Sequence, residues 1–188
     1  MKKHLPTYVY ESIYNIDFST LYAKGKRVIL FDLDNTIATY NELEPTSKHI
    51  EFRNMLYNIG FKVYIVSNNK GSRIRKFTEK FIVDGFLLMA NKPFPKKTKE
   101  YLEKLNIKKE EVIFVGDQIL TDIVCANRVE IDSILVKTID KNSQKWYTKI
   151  NRLREKHIIK KLVKKELPNA LEVLEIIKDW GIKIWVDV

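Results

Sequence analysis

The sequence has little that would place the protein in an oxidising compartment or across a membrane. Its single cysteine, Cys125, cannot form an internal disulfide. Cys125 lies in an apolar stretch with no histidine nearby, which indicates core packing rather than a nucleophile. No apolar run approaches the roughly 20 residues needed to cross a bilayer. The basic residues 1–6 are not followed by an apolar stretch, so we expect no signal peptide. We expect a cytoplasmic protein, either free or peripheral on the inner face of the membrane.

Acidic residues are nearly absent from one segment, 141–165. It holds ten Lys or Arg residues and one acid, Glu155, and so carries nine of the ten net positive charges of the chain. Such a block favours an anionic partner, either lipid headgroups or RNA. The alternative without a partner is the solvated face of a domain helix. A lipid partner would place Trp146 and Tyr147 at the membrane interface.

The apolar residues of this basic segment do not form one stripe. At 100° per residue, one side of a helix carries Trp146, Ile150, Leu153 and His157. The other side carries mainly Ile158, Ile159, Leu162 and Val163. A single straight helix docked along one stripe cannot bury both sets. We therefore predict either a break at 156–158 or a second apolar face left for a partner.

The rest of the chain alternates between strand and helix patterns. It is 188 residues long and 45% hydrophobic, which suits one domain with an appendage. Helical patterns with short connections separate five apolar runs, which predicts βαβ units and a parallel five-stranded sheet. The predicted strands are 28–31, 61–66, 86–90, 112–115 and 133–137. Residues 1–26 are expected to pack outside the sheet.

The most informative stretch is 28–36. Four apolar residues form a short buried strand, and Asp32, Asp34 and Thr36 follow where it opens into a loop. Burying a carboxylate costs several kcal/mol or more unless a cation or hydrogen bonds compensate. Taken alone, Asp32 could cap the strand and 34–35 could be a turn.

Polar residues follow the next strands in the same way. The carboxyl ends of parallel strands lie at one edge of a sheet, so these residues should meet there. The convergence of four such sets is hard to explain as turns and predicts a ligand site. The sets are Asp32, Asp34 and Thr36; Ser67 and Asn68; Lys92; and Asp117 and Asp122.

This set of residue types suits phosphate chemistry. The acids Asp32, Asp34 and Asp117 repel one another and need a cation, and oxygen ligands favour Mg²⁺. A metal ion, the Lys92 ammonium, a hydroxyl and loop N–H groups together suit a phosphate. One carboxylate can attack phosphorus, and a second, two residues further on, can act as general acid and base.

These residues resemble the four motifs of the haloacid-dehalogenase-like (HAD) superfamily. The motifs are Asp32-Leu-Asp34-Asn-Thr36, Ser67, Lys92 and Gly116-Asp117-x-x-x-x-Asp122. The chain is more specifically similar to subfamily IIIA phosphatases of the YqeG type over about residues 4–165. That likeness includes Val-Ser-Asn-Asn at 66–69, the Lys92-Pro93 pair, Gly-Asp-Gln-x-Leu-Thr-Asp at 116–122, Asn127-Arg128 and Asn151-Arg152. Related members include phosphatidylglycerophosphate phosphatases.

The resemblance implies a role for each motif residue. Asp32 would be the nucleophile and a Mg²⁺ ligand, and Asp34 the general acid/base, binding Mg²⁺ through its backbone carbonyl. Thr36 would steady the loop, Ser67 and the Asn68 N–H would hold phosphoryl oxygens, and Lys92 would neutralise charge. Asp117 would bind Mg²⁺, and Asp122 would support the metal shell or Lys92. Without the family, Thr36 and Asp122 could equally be helix caps.

The implied architecture is a Rossmann-like three-layer α/β sandwich without a cap domain. The spacing between motifs leaves no room for a large cap, so we predict an open site. We divide the chain into a HAD-like core with an N-terminal extension (1–140), a basic amphipathic helical segment (141–165) and a helix-strand extension (166–188). The extension should comprise a helix from 168 to 179 and a strand over 182–188.

We therefore expect a Mg²⁺-dependent phosphatase that acts through an aspartyl-phosphate. An open site favours a bulky substrate, such as phosphatidylglycerophosphate or another lipid phosphate, over a free sugar phosphate. The alternative is a nucleic-acid- or ribosome-associated protein whose basic segment 141–165 is the working part and whose phosphatase activity is secondary.

Overall fold

The computed structural model describes residues 2–140, 146–167 and 169–178. Within these ranges the chain forms one open sheet of six strands: β1 (Tyr8–Tyr10), β2 (Val28–Phe31), β3 (Lys62–Val66), β4 (Gly85–Leu87), β5 (Val112–Gly116) and β6 (Asp132–Val136). Their order across the sheet is β1-β6-β5-β2-β3-β4, and every pairing is parallel. All six strands therefore end at the same edge, as the βαβ pattern predicted.

Helices connect the strands and cover both faces of the sheet. They are α1 (Phe18–Ala23), α2 (Ser47–Ile59), α3 (Ser72–Lys80), α4 (Lys96–Lys104), α5 (Val124–Val129), α6 (Trp146–Val163) and α7 (Ala170–Lys178). Short 3₁₀ turns occur at Lys2–His4, Ile13–Asn15 and Lys109–Glu111, and Ile119–Ile123 is a π-helical turn. The two ends of α2 show why this helix begins and ends where it does. Thr46 caps its first turn, and Gly60 ends it at φ 109°.

The sheet has one strand more than the five predicted from the sequence. Strand β1 pairs with β6, and the Thr7 N–H also donates to the Ser133 carbonyl at 2.9 Å. The strand has three residues and is only partly buried. So short a segment shows no alternation over several positions, and its pairing partner lies more than 120 residues away. The prediction that residues 1–26 all lie outside the sheet was therefore wrong for 8–10.

The core lies in two layers, one on each face of the sheet. Ile29 and Phe31 of β2 pack with α1, α2 and α3, whereas Val28 and Leu30 pack with α4 and α5. A central strand buried on both faces needs the unbroken apolar run that the sequence shows. The predicted three-layer α/β sandwich is confirmed.

The basic helix α6 packs at the β6 end of the sheet. Ile159 joins an apolar cluster with Ile119, Leu135 and Val173. The helix runs from 146 to 163, so of the two predicted alternatives the break at 156–158 is absent. The buried face of the helix includes a charged pair, Arg152 and Glu155, so apolar periodicity alone did not identify that face. Leu153, on the neighbouring face, is 67% exposed.

The loops at the carboxyl edge connect directly to helices. Residues 32–46 lead from β2 to α2 and residues 88–95 from β4 to α4, so neither connection carries a cap domain. No helix in the described ranges is both long and apolar enough to cross a bilayer. The predicted interfacial side chains of Trp146 and Tyr147 and the predicted strand 182–188 lie outside the described residues, as does 141–145. The division at 140 and 165 stays a prediction.

Candidate active site at the carboxyl edge of the sheet

The first site loop begins where β2 ends. The Asp32 N–H donates to the Val115 carbonyl at 2.9 Å, which extends the β2–β5 pairing by one residue. The Leu33 carbonyl then accepts from the Thr36 N–H at 3.3 Å, and Asn35 takes φ 67°, a left-handed conformation that asparagine tolerates. This tight turn brings Thr36 Oγ1 to 3.5 Å from Asp32 Oδ2. Asp32 is only 7% exposed at the base of the loop.

Lys92 bridges two of the site carboxylates. Its Nζ donates to Asp32 Oδ1 at 2.7 Å, lies 2.8 Å from Asp122 Oδ1, and donates to the Val66 carbonyl at 2.8 Å. The Asn68 side chain holds the Lys92 backbone, since its amide donates to the Lys92 carbonyl and its oxygen accepts from the Lys92 N–H. Burial alone would lower the pKa of Lys92, but Asp122 and Asp32 more than offset this and raise it. Lys92 is therefore a fixed positive charge.

Three carboxylates meet around this lysine. One oxygen from each of Asp32, Asp117 and Asp122 lies within 4.8 Å of the others. Burial raises the pKa of Asp32 well above its ordinary value; Lys92 opposes this shift, and the neighbouring aspartates reinforce it. Burial likewise raises the pKa of Asp117. The absence of a side chain at Gly116 permits the crowding, because a Cβ there would lie 2.5 Å from Asp122 Cβ. The cluster concentrates more negative charge than Lys92 alone can balance.

The carboxylate of Asp34 has different partners. Its Oδ1 lies 3.1 Å from Arg73 Nε, and its Oδ2 accepts a hydrogen bond from the Asn69 side chain. Ser67 is buried at the end of β3, where its hydroxyl oxygen accepts from the Asn69 N–H at 3.1 Å. Asp34 is near enough to Asp32 to contribute to the raised pKa of that carboxyl. A second carboxyl thus lies beside Asp32 in a different hydrogen-bonding environment.

An arginine from α6 reaches Asp117. Arg152 Nη1 donates to the Asp117 backbone carbonyl at 2.8 Å, and Nη2 contacts Asp117 Oδ2 and donates to Thr138 Oγ1 at 2.7 Å. Glu155, 0% exposed, lies 3.1 Å from Arg152 Nη1 and accepts from the Leu120 N–H at 2.8 Å. The basic helix therefore contributes a buried ion pair to the site.

The aspartate cluster fits a hard divalent cation. Asp117 Oδ1 is buried and, among the described residues, has no hydrogen-bond partner. An orphaned carboxylate oxygen is costly unless something compensates it. It belongs to the same group of three carboxylates, and all-oxygen donor sets of this kind suit Mg²⁺. These residues could therefore hold a metal ion.

The structure brings most of the predicted site residues together. One buried cluster contains the following residues, linked by contacts of Asp32 and Lys92 and by the close approach of three carboxylates: Asp32, Thr36, Lys92, Asp117 and Asp122. Ser67 and Asn68 lie beside it after β3, and Asp34 turns its side chain toward Arg73.

Sequence reasoning missed four residues at this edge: Arg73, Thr138, Arg152 and Glu155. Only the α6 pair left a signal in the sequence. Glu155 is the single acid among ten basic residues, and Arg152 lies in a stretch that resembles the YqeG type.

Comparison with known proteins agrees with this geometry. Residues 89–164 match a family model described as HAD-hydrolase-like. The fold is similar to that of an uncharacterized protein from Listeria monocytogenes serotype 4b, with a TM-score of 0.50 and 20% identity. That similarity covers 61% of this chain and 84% of the other.

The chain belongs to the haloacid-dehalogenase-like hydrolases and is a phosphatase of that family. It is 32% identical over 164 residues to Probable phosphatase YqeG of Bacillus subtilis (strain 168). The match covers 87% of this chain and 94% of that protein, so it includes both the site loops and most of α6. The family resemblance inferred from the four motifs is confirmed.

Proposed function

We propose that the protein is a Mg²⁺-dependent phosphomonoesterase that acts through an aspartyl-phosphate on Asp32. One observation carries the proposal: the Lys92 ammonium bridges Asp32 and Asp122 at the sheet edge, within a cluster that also contains Asp117. Buried carboxylates without a ligand would destabilise a fold, so their gathering around one lysine is best explained by a functional demand.

In the proposed reaction, Asp32 attacks the phosphorus of the substrate. A bond forms between the carboxylate oxygen and phosphorus, and the bond from phosphorus to the leaving oxygen breaks. Asp34 donates a proton to the leaving oxygen. Asp34 then takes a proton from water, whose oxygen forms a bond to the same phosphorus while the bond between the Asp32 oxygen and phosphorus breaks, which releases inorganic phosphate and restores the Asp32 carboxylate.

The surrounding groups would hold the charges of this reaction. Asp32, Asp117 and the backbone carbonyl of Asp34 would bind Mg²⁺, supported by Asp122. When bound, the ion supplies positive charge to the phosphoryl oxygens.

Four residues would complete the phosphate pocket. Ser67 and the Asn68 N–H would donate to the transferring phosphoryl group, while Lys92 compensates its charge. Thr36 would keep the loop turned so that Asp32 faces that group.

We further propose a bulky lipid phosphate as substrate, with phosphatidylglycerophosphate as the leading candidate. The site loops and α6 bear apolar side chains that are at least half exposed or nearly so: Met89, Phe94, Ile139 and Leu153. Phe94 is 58% exposed two residues after Lys92, and Leu153 follows Arg152. An acyl portion of a substrate could contact such exposed apolar side chains. The exposed basic residues of α6, such as Arg154 and Lys161, would favour contact with an anionic membrane.

The decisive experiment is a Mg²⁺-containing panel of lipid, nucleotide, sugar and phosphoprotein monoesters, with a generic aryl phosphate as reference. Asp32→Asn should abolish hydrolysis of every active member while the folded protein keeps its circular dichroism spectrum. Glu51→Gln, an exposed acid on α2, is the matched control and should retain activity. Turnover by Asp32→Asn would contradict the nucleophile assignment, and a strong preference for a small sugar phosphate would contradict the lipid proposal.

Binding measurements separate lipid from RNA as the partner of the basic helix. Vesicles containing phosphatidylglycerol should retain the protein at low salt and release it at high salt, since exposed charges are screened. Salt-dependent RNA binding without vesicle binding would instead support the nucleic-acid alternative.

A further inference from the structure

The N-terminal half of α6 reaches into the proposed metal site rather than only covering it. Arg152 is 7% exposed, although it belongs to the most basic segment of the chain. Its guanidinium makes two contacts with Asp117, one to the backbone carbonyl at 2.8 Å and one to Oδ2. Thr138 Oγ1, which accepts from Arg152, also donates to Asp117 Oδ2 at 2.9 Å. One oxygen of Asp117 is thus held from two directions.

The same contacts determine which Asp117 oxygen faces the cluster. With Oδ2 occupied by Arg152 and Thr138, Oδ1 has no hydrogen-bond partner among the described residues. The carboxylate is therefore presented in one orientation, with one oxygen available to a cation. Ligands oriented in this way by an outer group bind metal more tightly than freely rotating ones.

Glu155 makes this arrangement electrostatically neutral. A lone arginine beside a metal ligand would oppose cation binding through its charge. Glu155 Oε2 lies 3.1 Å from Arg152 Nη1, and the two charges cancel. The other Glu155 oxygen, Oε1, accepts from the Leu120 N–H at 2.8 Å, so the pair also holds the π-helical turn that follows Asp117.

We propose that Arg152 is a positioning residue for Asp117, and that Glu155 cancels its charge so that the net negative charge of the site stays on its aspartates. This inference rests on the proposed function, because it assumes that Asp117 binds Mg²⁺. The basic helix would then be required for metal binding, in addition to any contact it makes with a lipid surface.

The test makes two measurements on each variant. The first is the Mg²⁺ affinity of the metal-free protein, from isothermal titration calorimetry, and the second is the Mg²⁺ concentration that gives half-maximal hydrolysis of a soluble aryl phosphate. Arg152→Gln should lower the Mg²⁺ affinity and raise the half-maximal Mg²⁺ concentration, each by about tenfold or more, the usual cost of removing a group that orients a ligand. At saturating Mg²⁺ its kcat should recover to within about threefold, since only metal affinity is lost. Arg152→Lys keeps the charge but not the fork, so it should fall between wild type and Arg152→Gln.

A double variant guards against a misfolded Arg152→Gln protein. Arg152→Leu with Glu155→Leu removes both buried charges, an exchange that is often neutral or stabilising. It should keep α6 packed and still show the tenfold loss of Mg²⁺ affinity. Arg154→Gln changes an exposed arginine of the same helix and should bind Mg²⁺ with wild-type affinity.

Two results would overturn the inference, and a third would overturn its basis. If the folded double variant binds Mg²⁺ as tightly as wild type, Arg152 does not position Asp117. If Arg152→Gln lowers kcat at saturating Mg²⁺ with unchanged affinity, its role is structural. If wild type binds no Mg²⁺, or Asp117→Asn leaves binding unchanged, the proposed metal site itself is wrong.

Discussion

Replacing Lys92 with methionine should leave two buried carboxylates, those of Asp32 and Asp122, without the positive charge that compensates them. The Lys92 Nζ makes three contacts of 2.7 to 2.8 Å, two of them to buried carboxylates. Removing one partner of a buried ion pair typically costs about 3–5 kcal/mol, because the other charge is left uncompensated. We expect Lys92→Met to lose an amount in this range from its free energy of unfolding at pH 8 without metal. Lys96→Met, at an exposed position on α4, should be within about 0.5 kcal/mol of wild type.

The loss should shrink as the pH falls. The pKa of Lys92 is raised in the folded state, so its contribution is fully present below its unfolded pKa and therefore throughout pH 5–8. The pKa of Asp32 is also raised in the folded state, mainly by burial, and the variant loses the lysine that opposed this shift. For a carboxyl with a raised folded pKa, stability falls as pH rises, by up to about 1.4 kcal/mol per pH unit for one proton. Because the pKa of Asp32 should lie higher in the variant than in wild type, protonation of Asp32 should recover part of the lost stability between pH 8 and pH 5.

Urea unfolding of metal-free wild type and Lys92→Met at pH 5, 6.5 and 8 measures this difference. Added Mg²⁺ should stabilise the variant by replacing part of the missing positive charge. An equal loss at all three pH values would refute the reasoning, since it would mean that Lys92 acts by packing and not by balancing the aspartates. Aryl phosphate hydrolysis by Lys92→Met should fall by about a hundredfold or more, in line with removal of one charge-stabilising donor.

Three further changes test other parts of the structure. Gly116→Ala would bring a Cβ to 2.5 Å from Asp122 Cβ, so it should cost about 1–3 kcal/mol of stability and most of the activity, as measured by urea unfolding and aryl phosphate hydrolysis. Ile159→Ala, at a fully buried position on α6, should cost about 2–5 kcal/mol, whereas Leu153→Ala at a 67% exposed position should cost under about 0.5 kcal/mol; equal losses would contradict the observed packing of α6. Chelation of divalent ions should abolish hydrolysis and Mg²⁺ should restore it, whereas full activity in excess chelator would exclude the proposed metal dependence.

The site acids could be located from sequence because backbone rules act on short segments. A short apolar run such as 28–31 is typical of a strand buried on both faces, and parallel strands joined by right-handed crossovers end at one edge. Strand topology alone therefore places Asp32, Lys92 and Asp117 at one edge of the sheet. The motif residues then resemble those of a known family, and the loop lengths leave no room for a large cap. The end of α2 at Gly60, where φ is 109°, is set by a local conformational demand of the same kind.

The tertiary structure alone decided what α6 does. Its sequence indicates a solvated or lipid-binding basic face, because charge and periodicity describe the helix alone and not the surface against which it packs. Whether Arg152 faces water or Asp117 depends on how the helix docks, and the contacts that fix it join residues 35 positions apart. Because Arg152 and Glu155 occupy part of the buried face of α6, that face lacks the continuous apolar stripe by which a buried helix face is recognised in a sequence. Strand β1 was hidden for a related reason: its three residues are a strand only because the edge of β6 offers them hydrogen bonds.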